Sequence, residues 1–387
     1  MAERKRIGLR FSYNENWIAG SYYVLNIISA LNSLQDEKKP IIVILSEDVD
    51  NFNIVKKETN YPFLEFFKFP FNQPKYSFIE RGINKIGKKV LKQKLIDKIP
   101  KQPEIDFLYP KYIDEIKVDG LKKVNWIPDF QEEYLPHFFS EEEIKKRKYE
   151  QREIFSKGDF VVLSSYDAEK DFLRLYPNAK AKTVVLNFAV TLPDFNYLSL
   201  SDLLLKYKLP NHYFFAPNQF WAHKNHIIIL KAIKLLKDNG NDVVVAFSGK
   251  ESDYRNLDNF TTLKTYISKH NLESNIKFLG FIEREEQLCL MKHCIAIIQP
   301  SLFEGWSTVV EDAKALNKFI ILSNLNVHKE QINDNVHFFN PNNTEELSQI
   351  IFQYSLTNPK VIPVNYNTNI KNFAQNFVGL IEQVSRN

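Results

Sequence analysis

The stretch "CIAIIQPSLFEGWSTVVEDAKALNKFIILS", residues 294–323, decides the fold that this sequence predicts. An apolar run of strand length at 294–301 is followed by a polar loop, a helix-length segment at 308–316 and a second apolar run at 318–323. Strands that are apolar throughout and alternate with helices are typical of parallel sheets buried on both faces. The stretch therefore predicts a β–α–β unit. Its loop, around Glu304, lies at the carboxyl end of a strand, where doubly wound sheets bind ligands.

The same alternation continues through most of the chain and forms two series, which predicts an α/β protein with two Rossmann-like domains. We place the first domain at 1–195 and the second at 196–365, with residues 192–212 as the crossing and a last helix at 366–387 that can pack back on the first domain. Strands are predicted at 6–11, 40–45, 105–109, 123–127, 159–164, 182–187, 213–217, 242–249 and 276–280, and helices at 20–33, 140–156, 224–237, 257–270 and 283–293, with one more from Tyr166.

Composition narrows the class of protein. The chain has 387 residues, of which 44% are hydrophobic and 25% are charged, as in ordinary globular proteins. It contains no apolar run of the roughly eighteen residues that span a membrane, and the start "MAERKRIGLRF" lacks the apolar core of a signal peptide. The two cysteines, Cys289 and Cys294, are predicted to be reduced core thiols. We therefore expect a cytoplasmic protein.

The net charge of +4 is unevenly distributed. Residues 81–101 hold eight Lys or Arg and one Asp, whereas a nucleic-acid-binding protein is usually basic over a whole domain. This segment is predicted to be a helix that ends at Pro100. Two interpretations stay open: a solvated face, or docking on an anionic membrane surface. Ile83, Ile86 and Val90 would form one apolar stripe of the helix, and Leu91, Leu95 and Ile99 an adjacent one.

The loop around Glu304 has the chemistry of a sugar and phosphate site. A helix start with free N–H groups binds anions, and Ser307 or Thr308 could cap this one. A carboxylate there would repel phosphate, so Glu304 more plausibly accepts hydrogen bonds from sugar hydroxyls, and Asp312 could do the same for a ribose. The alternative is that Glu304 is a solvated loop acid and that the acids of the following helix only complement its dipole.

Resemblance to a known family extends this interpretation. The motif "PSLFEGWSTVVEDAKAL", residues 300–316, resembles the glutamate-x7-glutamate signature of retaining glycosyltransferases of family 4, which have the two-Rossmann GT-B fold. Glu304 falls on the first glutamate of that signature and Asp312 on the second, so aspartate replaces glutamate there and Glu311 stands beside it. The resemblance leaves open which of the two acids holds the ribose. Gly305 and Trp306 match the glycine and the aromatic residue of the signature.

Upstream segments resemble the same family. "FFAPNQFWAHKNHIIILKAI", residues 214–233, is similar to the strand and loop that hold the donor diphosphate. Lys224 matches the lysine of that loop, whereas Gln219 stands where arginine is usual. "VVVAFSGK" and "IKFLGFI" resemble the next two donor-side strands, and Gly20 resembles a first-domain glycine that approaches the donor phosphate. The resemblance implies donor contacts at Gly20, Asn218, Gln219, Lys224, Gly249, Lys250, Phe281, Ile282, Glu304, Gly305, Trp306, Ser307, Thr308, Glu311 and Asp312.

Two other groups of residues are candidate sites. His223 and His226 have a spacing that could bind metal, but no carboxylate or thiol cluster accompanies them and Lys224 lies between them. Asp129 and Gln131 follow a first-domain strand, in the region where the family often places a histidine close to the donor sugar. Asp129 is therefore a candidate substitute, and the alternative is a turn aspartate after Pro128.

Taken together, the residues and the resemblance predict a retaining GT-B glycosyltransferase with Glu304, Lys224 and Asp129 as catalytic candidates. It would move a hexose from a nucleotide sugar to a glycan or lipid-linked acceptor in the biosynthesis of surface polysaccharide such as lipopolysaccharide. No cofactor or metal would be required, and no nucleic-acid partner is expected. Two alternatives stay open: a sugar-nucleotide epimerase of the same fold, and a non-catalytic scaffold that binds nucleotide sugars.

Overall fold

A parallel sheet forms the centre of the first half of the chain. The computed structural model describes residues 4–14, 18–70, 75–93, 95–96, 98, 102–110 and 121–386. Within these residues the first sheet has seven strands in the order β3-β2-β1-β4-β5-β6-β7, and every neighbouring pair is parallel. The strands are β1 (Arg6–Arg10), β2 (Ile41–Ser46), β3 (Leu64–Lys68), β4 (Phe107–Tyr109), β5 (Lys122–Ile127), β6 (Phe160–Leu163) and β7 (Lys182–Val185).

A second parallel sheet follows in the second half. In the described residues it has six strands in the order β10-β9-β8-β11-β12-β13, all paired in parallel. Counted within its own half, this order is 3-2-1-4-5-6, the order of a Rossmann sheet. The strands are β8 (Phe214–Pro217), β9 (Val245–Ser248), β10 (Ile276–Phe278), β11 (Ile297–Gln299), β12 (Ile320–Ser323) and β13 (Val336–Phe339).

Helices connect the strands, and short polar residues begin several of them. The N–H of Glu143 donates a hydrogen bond to the Ser140 side chain, and the N–H of Ser140 donates one to the Glu143 carboxylate, which is a capping box. In the described residues the helices are α1 (Ile18–Asn32), α2 (Val49–Thr59), α3 (Phe78–Val90), α4 (Gln131–Tyr134), α5 (Glu141–Lys157), α6 (Tyr166–Leu175), α7 (Leu200–Tyr207), α8 (His226–Asp238), α9 (Asn259–Lys269), α10 (Arg284–His293), α11 (Thr308–Ala315), α12 (Asn326–Gln331), α13 (Thr344–Leu356) and α14 (Asn367–Arg386).

The core of each half lies between its sheet and the helices. The last helix, α14, buries Phe373, Phe377 and Leu380 in the same apolar cluster as Ile7 of β1 and Ile27 of α1. The chain therefore returns to the first sheet after completing the second. Both faces of the second sheet are covered by separate apolar clusters, which is why its strands are mostly apolar.

Several predicted elements differ from the structure. The helix of the basic segment was predicted to end at Pro100, and this end is wrong because α3 ends at Val90. The side chain of Asn84 accepts hydrogen bonds from the backbone of the turn that follows. Lys94, Ile99 and Pro100 lie outside the described residues. The crossing predicted at 192–212 contains helix α7. Three helices, α2, α12 and α13, and two strands, β3 and β13, were not predicted from the sequence.

Candidate functional site

The carboxyl ends of the two sheets face each other across a cleft. A cavity of about 570 Å³ occupies the cleft and is lined by loops that follow β5, β8, β9 and β11 and by the first turn of α1. In each sheet the strand order reverses beside the first strand, between β1 and β4 and between β8 and β11. Doubly wound sheets bind ligands at such reversal points, so this cavity is the candidate site.

Most of the predicted site residues meet in the wall of this cavity. Two of the predicted donor contacts, Lys250 and Glu311, do not line it. The predicted residues that do line it are Gly20, Asp129, Asn218, Gln219, Lys224, Gly249, Phe281, Ile282, Glu304, Gly305, Trp306, Ser307, Thr308 and Asp312.

The Glu304 carboxylate is held through one of its two oxygens. Oε1 accepts hydrogen bonds from Lys224 Nζ at 2.6 Å, from Ser301 Oγ at 2.7 Å and from Gln299 Nε2 at 2.8 Å. Among the described residues, none donates a hydrogen bond to Oε2. The side chain is therefore fixed in place while its second oxygen stays open to a ligand, which argues against a solvated loop acid.

The electrostatic surroundings keep Glu304 ionised. Burial alone would raise the pKa of its carboxyl, but Lys224 and the neighbouring imidazoles of His223 and His328 outweigh burial and lower the pKa to about 2. Burial also lowers the pKa of His223, and it lowers that of His328 to about 4. At neutral pH the site therefore presents one ionised carboxylate, one lysine cation and two neutral imidazoles.

The start of α11 provides backbone donors beside Glu304. Ser307 is the N-cap residue, but its side chain does not cap the helix, so the capping prediction is wrong in that detail. Instead the N–H of Ser307 donates to Gln331 Oε1 at 3.2 Å, and Gln331 Nε2 donates back to Ser307 O at 2.8 Å. Gln331 comes from α12, so the helix start is braced by a side chain that does not line the cavity.

Two glycines allow backbone segments to approach closely. A Cβ on Gly249, which has φ +148°, would lie 2.2 Å from the carbonyl oxygen of Asn218. A Cβ on Gly305 would lie 2.4 Å from the carbonyl oxygen of Pro128, in the loop that follows β5 of the first sheet. Because Gly249 has no side chain, the loops that follow β8 and β9 can pack together. Because Gly305 has none, the loop that follows β11 can contact the loop that follows β5 of the first sheet.

The two neighbouring acids of α11 have different surroundings. Glu311 turns away from the cavity, where Lys314 and Gln331 donate to its Oε1 and the Tyr366 hydroxyl donates to its Oε2. Its predicted donor contact is therefore corrected. Asp312 lines the cavity and forms a bidentate ion pair with Arg284, with one bond of 2.7 Å from Nη1 to Oδ2. Of these two acids, Asp312 is the one that lines the cavity.

Two further predicted residues are placed differently from expectation. Gly20 lies in the first turn of α1 rather than in a loop before it, although it does line the cavity. Lys250 directly follows Gly249, and its backbone oxygen accepts a hydrogen bond from Phe220 N at 3.1 Å. Its side chain does not line the cavity, and the expected nucleotide contact of Lys250 stays a prediction.

Asp129 faces Glu304 across the cleft. Its carboxyl accepts a hydrogen bond from Gln131 N at 3.1 Å, and Arg147 Nη1 lies 4.0 Å away. Removal from water raises the pKa of Asp129, the charge of Glu304 adds to this effect, and Arg147 opposes it. The carboxyls of Asp129 and Glu304 therefore have pKa values pushed in opposite directions, a pattern that separates acid and base roles in enzymes.

Arg255 is a cavity residue that the sequence analysis missed. Its side chain is 3% exposed, and Nη1 donates to Gln131 Oε1 of the first domain at 3.1 Å. The guanidinium lies over the rings of Phe139 and Trp221, with Cζ 4.7 and 4.9 Å from the ring centroids. No motif surrounds Arg255 in the sequence, and the one available signal was the absence of an arginine at position 219.

Contacts between the domains fix the cleft in this geometry. Trp306 Nε1 donates to the backbone oxygen of Phe188 at 3.0 Å. The carboxylate of Glu330, on α12, accepts hydrogen bonds from the N–H groups of Tyr166 and Asp167 at 2.9 and 3.1 Å, at the start of α6. An acid at a helix N-terminus is stabilising, so both domains are held together beside the cavity.

The described residues offer neither a metal cluster nor a membrane-spanning helix. The described part of the chain contains no group of three or more His, Cys, Asp or Glu side chains placed to hold a metal ion. The sequence does contain one Asp-x-Asp spacing, but Asp48 caps the start of α2 and neither Asp48 nor Asp50 lines the cavity. His226 packs on Phe220, with ring centroids 4.5 Å apart. Across the residues described, no helix has the length and apolarity needed to cross a membrane.

Residues 205–375, most of the second domain, match the family described as "Glycosyl transferases group 1", which supports a glycosyltransferase. The O-antigen chain mannosyltransferase RfbU of Salmonella typhimurium is 26% identical over 191 residues. That alignment covers 49% of this chain and 49% of RfbU, so the chain spans about half the length of this curated relative.

Solved structures resemble the whole chain. A glycosyltransferase from Rickettsia africae has a TM-score of 0.61 at 18% identity and covers 100% of this chain and 97% of its own. Anabaena HepE in complex with UDP-glucose has a TM-score of 0.60 at 17% identity and covers 99% of both chains. Together with the two Rossmann-type sheets, these likenesses confirm the predicted GT-B fold.

Proposed function

We propose that this protein is a retaining glycosyltransferase that moves a hexose from a nucleotide sugar to a glycan or lipid-linked acceptor during the biosynthesis of surface polysaccharide. The observation that carries the proposal is the Glu304–Lys224 pair beside the start of α11 in the interdomain cavity. A carboxylate with one open oxygen and a cation with adjacent backbone donors match a sugar joined to a diphosphate. The relative RfbU, an O-antigen mannosyltransferase, supports the choice of a hexose and of a surface polysaccharide.

The cavity wall suggests how the donor lies. The diphosphate would lie against Lys224 and the backbone amides at the start of α11, and the hexose would donate hydroxyl hydrogen bonds to Glu304 Oε2. Asp312 would face the ribose, positioned by its ion pair with Arg284. The base would lie against Phe281, which lines the cavity and is 51% exposed.

The chemistry proposed is front-face transfer. The bond between the anomeric carbon and the diphosphate oxygen breaks with its electron pair going to the diphosphate. The acceptor hydroxyl attacks the anomeric carbon from the same face, and its proton passes to the leaving diphosphate. Catalysis then rests on stabilising the charge that develops on that diphosphate, which Lys224 and the α11 amides are placed to do without a metal.

Asp129 is proposed to act on the sugar from the other side of the cavity. Burial raises the pKa of Asp129, and in its protonated form this carboxyl would donate a hydrogen bond to the sugar, whereas Glu304 stays ionised and would accept one. The two groups would together orient the hexose. This assigns Asp129 the place for which the family often uses a histidine.

A panel of nucleotide sugars with different bases and sugars tests the proposal by thermal stabilisation. Ligand at a hundred times its dissociation constant adds about 2.7 kcal/mol to the free energy of unfolding. We expect one nucleoside diphosphate sugar, and its free nucleoside diphosphate, to stabilise wild type and to stabilise Lys224→Met much less. Stabilisation by no nucleotide would refute the donor site. Conversion of the ligand to an epimer without acceptor would favour the epimerase, and binding without turnover on any acceptor would favour the scaffold.

A further inference from the structure

Helix α3 of the first domain carries an apolar stripe that faces solvent. Ile79, Ile83, Ile86 and Val90 lie within one narrow sector of the helix, because residues three and four apart share a face. They are 73%, 37%, 62% and 70% exposed. We call these four residues the α3 stripe. Phe78, the first residue of the helix, is 90% exposed as well.

Ile83 is partly covered, whereas the described residues leave Ile79, Ile86 and Val90 mostly open to solvent. The helix turns a different face inward: Asn84 and Gly87 are buried, and the Asn84 amide bonds the backbone of Leu95 and Ile96. No residue of the α3 stripe belongs to any of the five apolar cores of the described chain. Single exposed apolar residues are ordinary, whereas a contiguous exposed stripe marks an interaction surface.

The rest of the helix surface is basic. Lys85, Lys88 and Lys89 are exposed, and none of them forms an ion pair with a carboxylate of the described chain. The acid of this helix, Glu80, is already engaged, since it accepts a hydrogen bond from Lys98 Nζ at 2.7 Å and another from Ser77 N. The α3 stripe is therefore flanked by positive charge that no carboxylate of the described residues pairs with.

We propose that α3 docks on a lipid bilayer that contains anionic lipids, with the α3 stripe in the boundary between headgroups and acyl chains and the lysines among the headgroups. An apolar stripe on a helix with a lysine-rich polar face is the pattern of helices that lie in the membrane interface. A groove on a partner protein would account for the stripe but not for the uncompensated lysines, whereas an anionic surface accounts for both.

The helix does not need to fold on binding. Its start is fixed by a capping box between Ser77 and Glu80, and its far end is fixed by the Asn84 side chain. A preformed helix avoids the ordering cost that weakens the binding of disordered segments. The proposal goes beyond the transferase function and does not depend on it.

Co-sedimentation with vesicles tests the proposal. Wild type should bind vesicles of phosphatidylglycerol and phosphatidylcholine at low salt. Its affinity should fall about tenfold or more when the salt concentration is raised, and likewise when the vesicles contain phosphatidylcholine alone. Ile79→Gln, Ile86→Gln and Val90→Gln combined should lower binding about tenfold or more on every vesicle. Lys85→Gln, Lys88→Gln and Lys89→Gln combined should abolish the preference for anionic vesicles.

A matched control replaces three exposed leucines that lie far from α3 in the sequence. Leu205, Leu257 and Leu356 are 81%, 82% and 71% exposed and lie in the second half of the chain. Changing all three to Gln should leave vesicle binding unchanged. A second measurement places an environment-sensitive dye on Ile86→Cys, which is selective because Cys289 and Cys294 are buried. Its emission should shift to the blue on anionic vesicles.

Three results would overturn the proposal. In the first, wild type does not bind anionic vesicles. In the second, the stripe variant, which combines Ile79→Gln, Ile86→Gln and Val90→Gln, binds as well as wild type. In the third, wild type binds neutral and anionic vesicles equally. Loss of concentration-dependent dimerisation in the stripe variant, with no vesicle binding by wild type, would assign the stripe to a second copy of the chain instead. Nucleotide affinity, measured in parallel, should be the same in all variants, so failure here is distinguishable from failure of the donor site.

Discussion

The Nζ atom of Lys224 lies 2.6 Å from the Oε1 atom of Glu304. Lys224 follows β8 and Glu304 follows β11, and these two strands are neighbours where the strand order of the second sheet reverses. The side chains are 17% and 9% exposed, so the pair is largely shielded from water. The topology thus places one cation and one carboxylate side by side at the point where a doubly wound sheet binds its ligand.

Replacing Glu304 by Gln should leave the fold intact and collapse transfer. The neutral amide accepts hydrogen bonds through one oxygen only, and that position is the one held by Lys224, Ser301 and Gln299. The measurement is the steady-state transfer rate, with thermal unfolding as the check on folding. Glu251→Gln, an exposed acid outside the cavity, is the control. A rate within about twofold of wild type, a barrier change under ~0.5 kcal/mol, would remove Glu304 from the mechanism.

Replacing Lys224 by Met should affect both ligand affinity and stability. The variant should bind nucleoside diphosphate more weakly by roughly 1.5–3 kcal/mol, the value of a charge-assisted hydrogen bond, and nucleoside monophosphate almost normally. It should also unfold more easily by about 3–5 kcal/mol, because it leaves Glu304 buried without its partner.

The double variant Lys224→Met with Glu304→Gln separates the two effects of this pair. It should recover most of the lost stability, since no unpaired charge remains, but not the diphosphate affinity. Calorimetric titration and denaturant unfolding give both values. A loss of monophosphate affinity with normal diphosphate affinity would place Lys224 elsewhere in the site.

The pH dependence of transfer should report Asp129 rather than Glu304. The pKa of Glu304 is lowered to about 2, so this carboxylate stays charged over the pH range in which activity is measured. It should therefore cause no loss of activity on the acidic side of the pH profile. The pKa of Asp129 is raised, so its carboxyl is protonated below that pKa and loses its donor proton as pH rises through it. Activity should therefore fall on the alkaline side of the Asp129 pKa.

Two substitutions at Asp129 check this assignment. Asp129→Asn keeps a hydrogen-bond donor that does not titrate, so it should retain much of the activity and lose that limb of the pH profile. Asp129→Ala should lose activity at every pH. An unchanged pH profile in Asp129→Asn would show that another group titrates.

Arg255→Lys should lower transfer while leaving nucleoside diphosphate affinity nearly unchanged. The guanidinium bonds Gln131 and lies over Phe139, both in the first domain, whereas the proposed diphosphate contacts are in the second. Lysine keeps the charge but cannot reproduce the planar stacking and the directed hydrogen bond. Steady-state kinetics and calorimetry on Arg255→Lys should therefore diverge. The exposed Arg152→Lys is the control, and an equal loss of diphosphate affinity would assign Arg255 to the donor.

The sequence predicted the alternation of strands and helices well, because strands buried on both faces are apolar throughout. The prediction of strands and helices failed where the hydrophobic periodicity is weak or where side-chain hydrogen bonds set the end of an element. Helix α3 ends at Val90 because Asn84 binds the following turn, a contact between residues that the basic composition of the segment does not reveal. Edge elements such as β3 carry exposed polar residues and so lack the apolar run.

The candidate site shows the same division. The loop at Glu304 was predictable because its residues are consecutive in sequence. The choice between Glu311 and Asp312 was not, because one residue of helix rotation turns one carboxylate into the protein and the other into the cavity. Arg255 was missed because two of its partners, Gln131 and Phe139, come from the other domain and leave no local pattern.

The most direct test of the central claim is the product of a reaction that contains the stabilising nucleotide sugar and a panel of glycan and glycolipid acceptors. Mass spectrometry should detect one acceptor enlarged by a single hexose together with an equal amount of free nucleoside diphosphate. Proton NMR of the new linkage should show the anomeric configuration of the donor. An inverted linkage would contradict retention, and a bound donor that no acceptor consumes would contradict the assignment of the Glu304–Lys224 cavity as a transferase site.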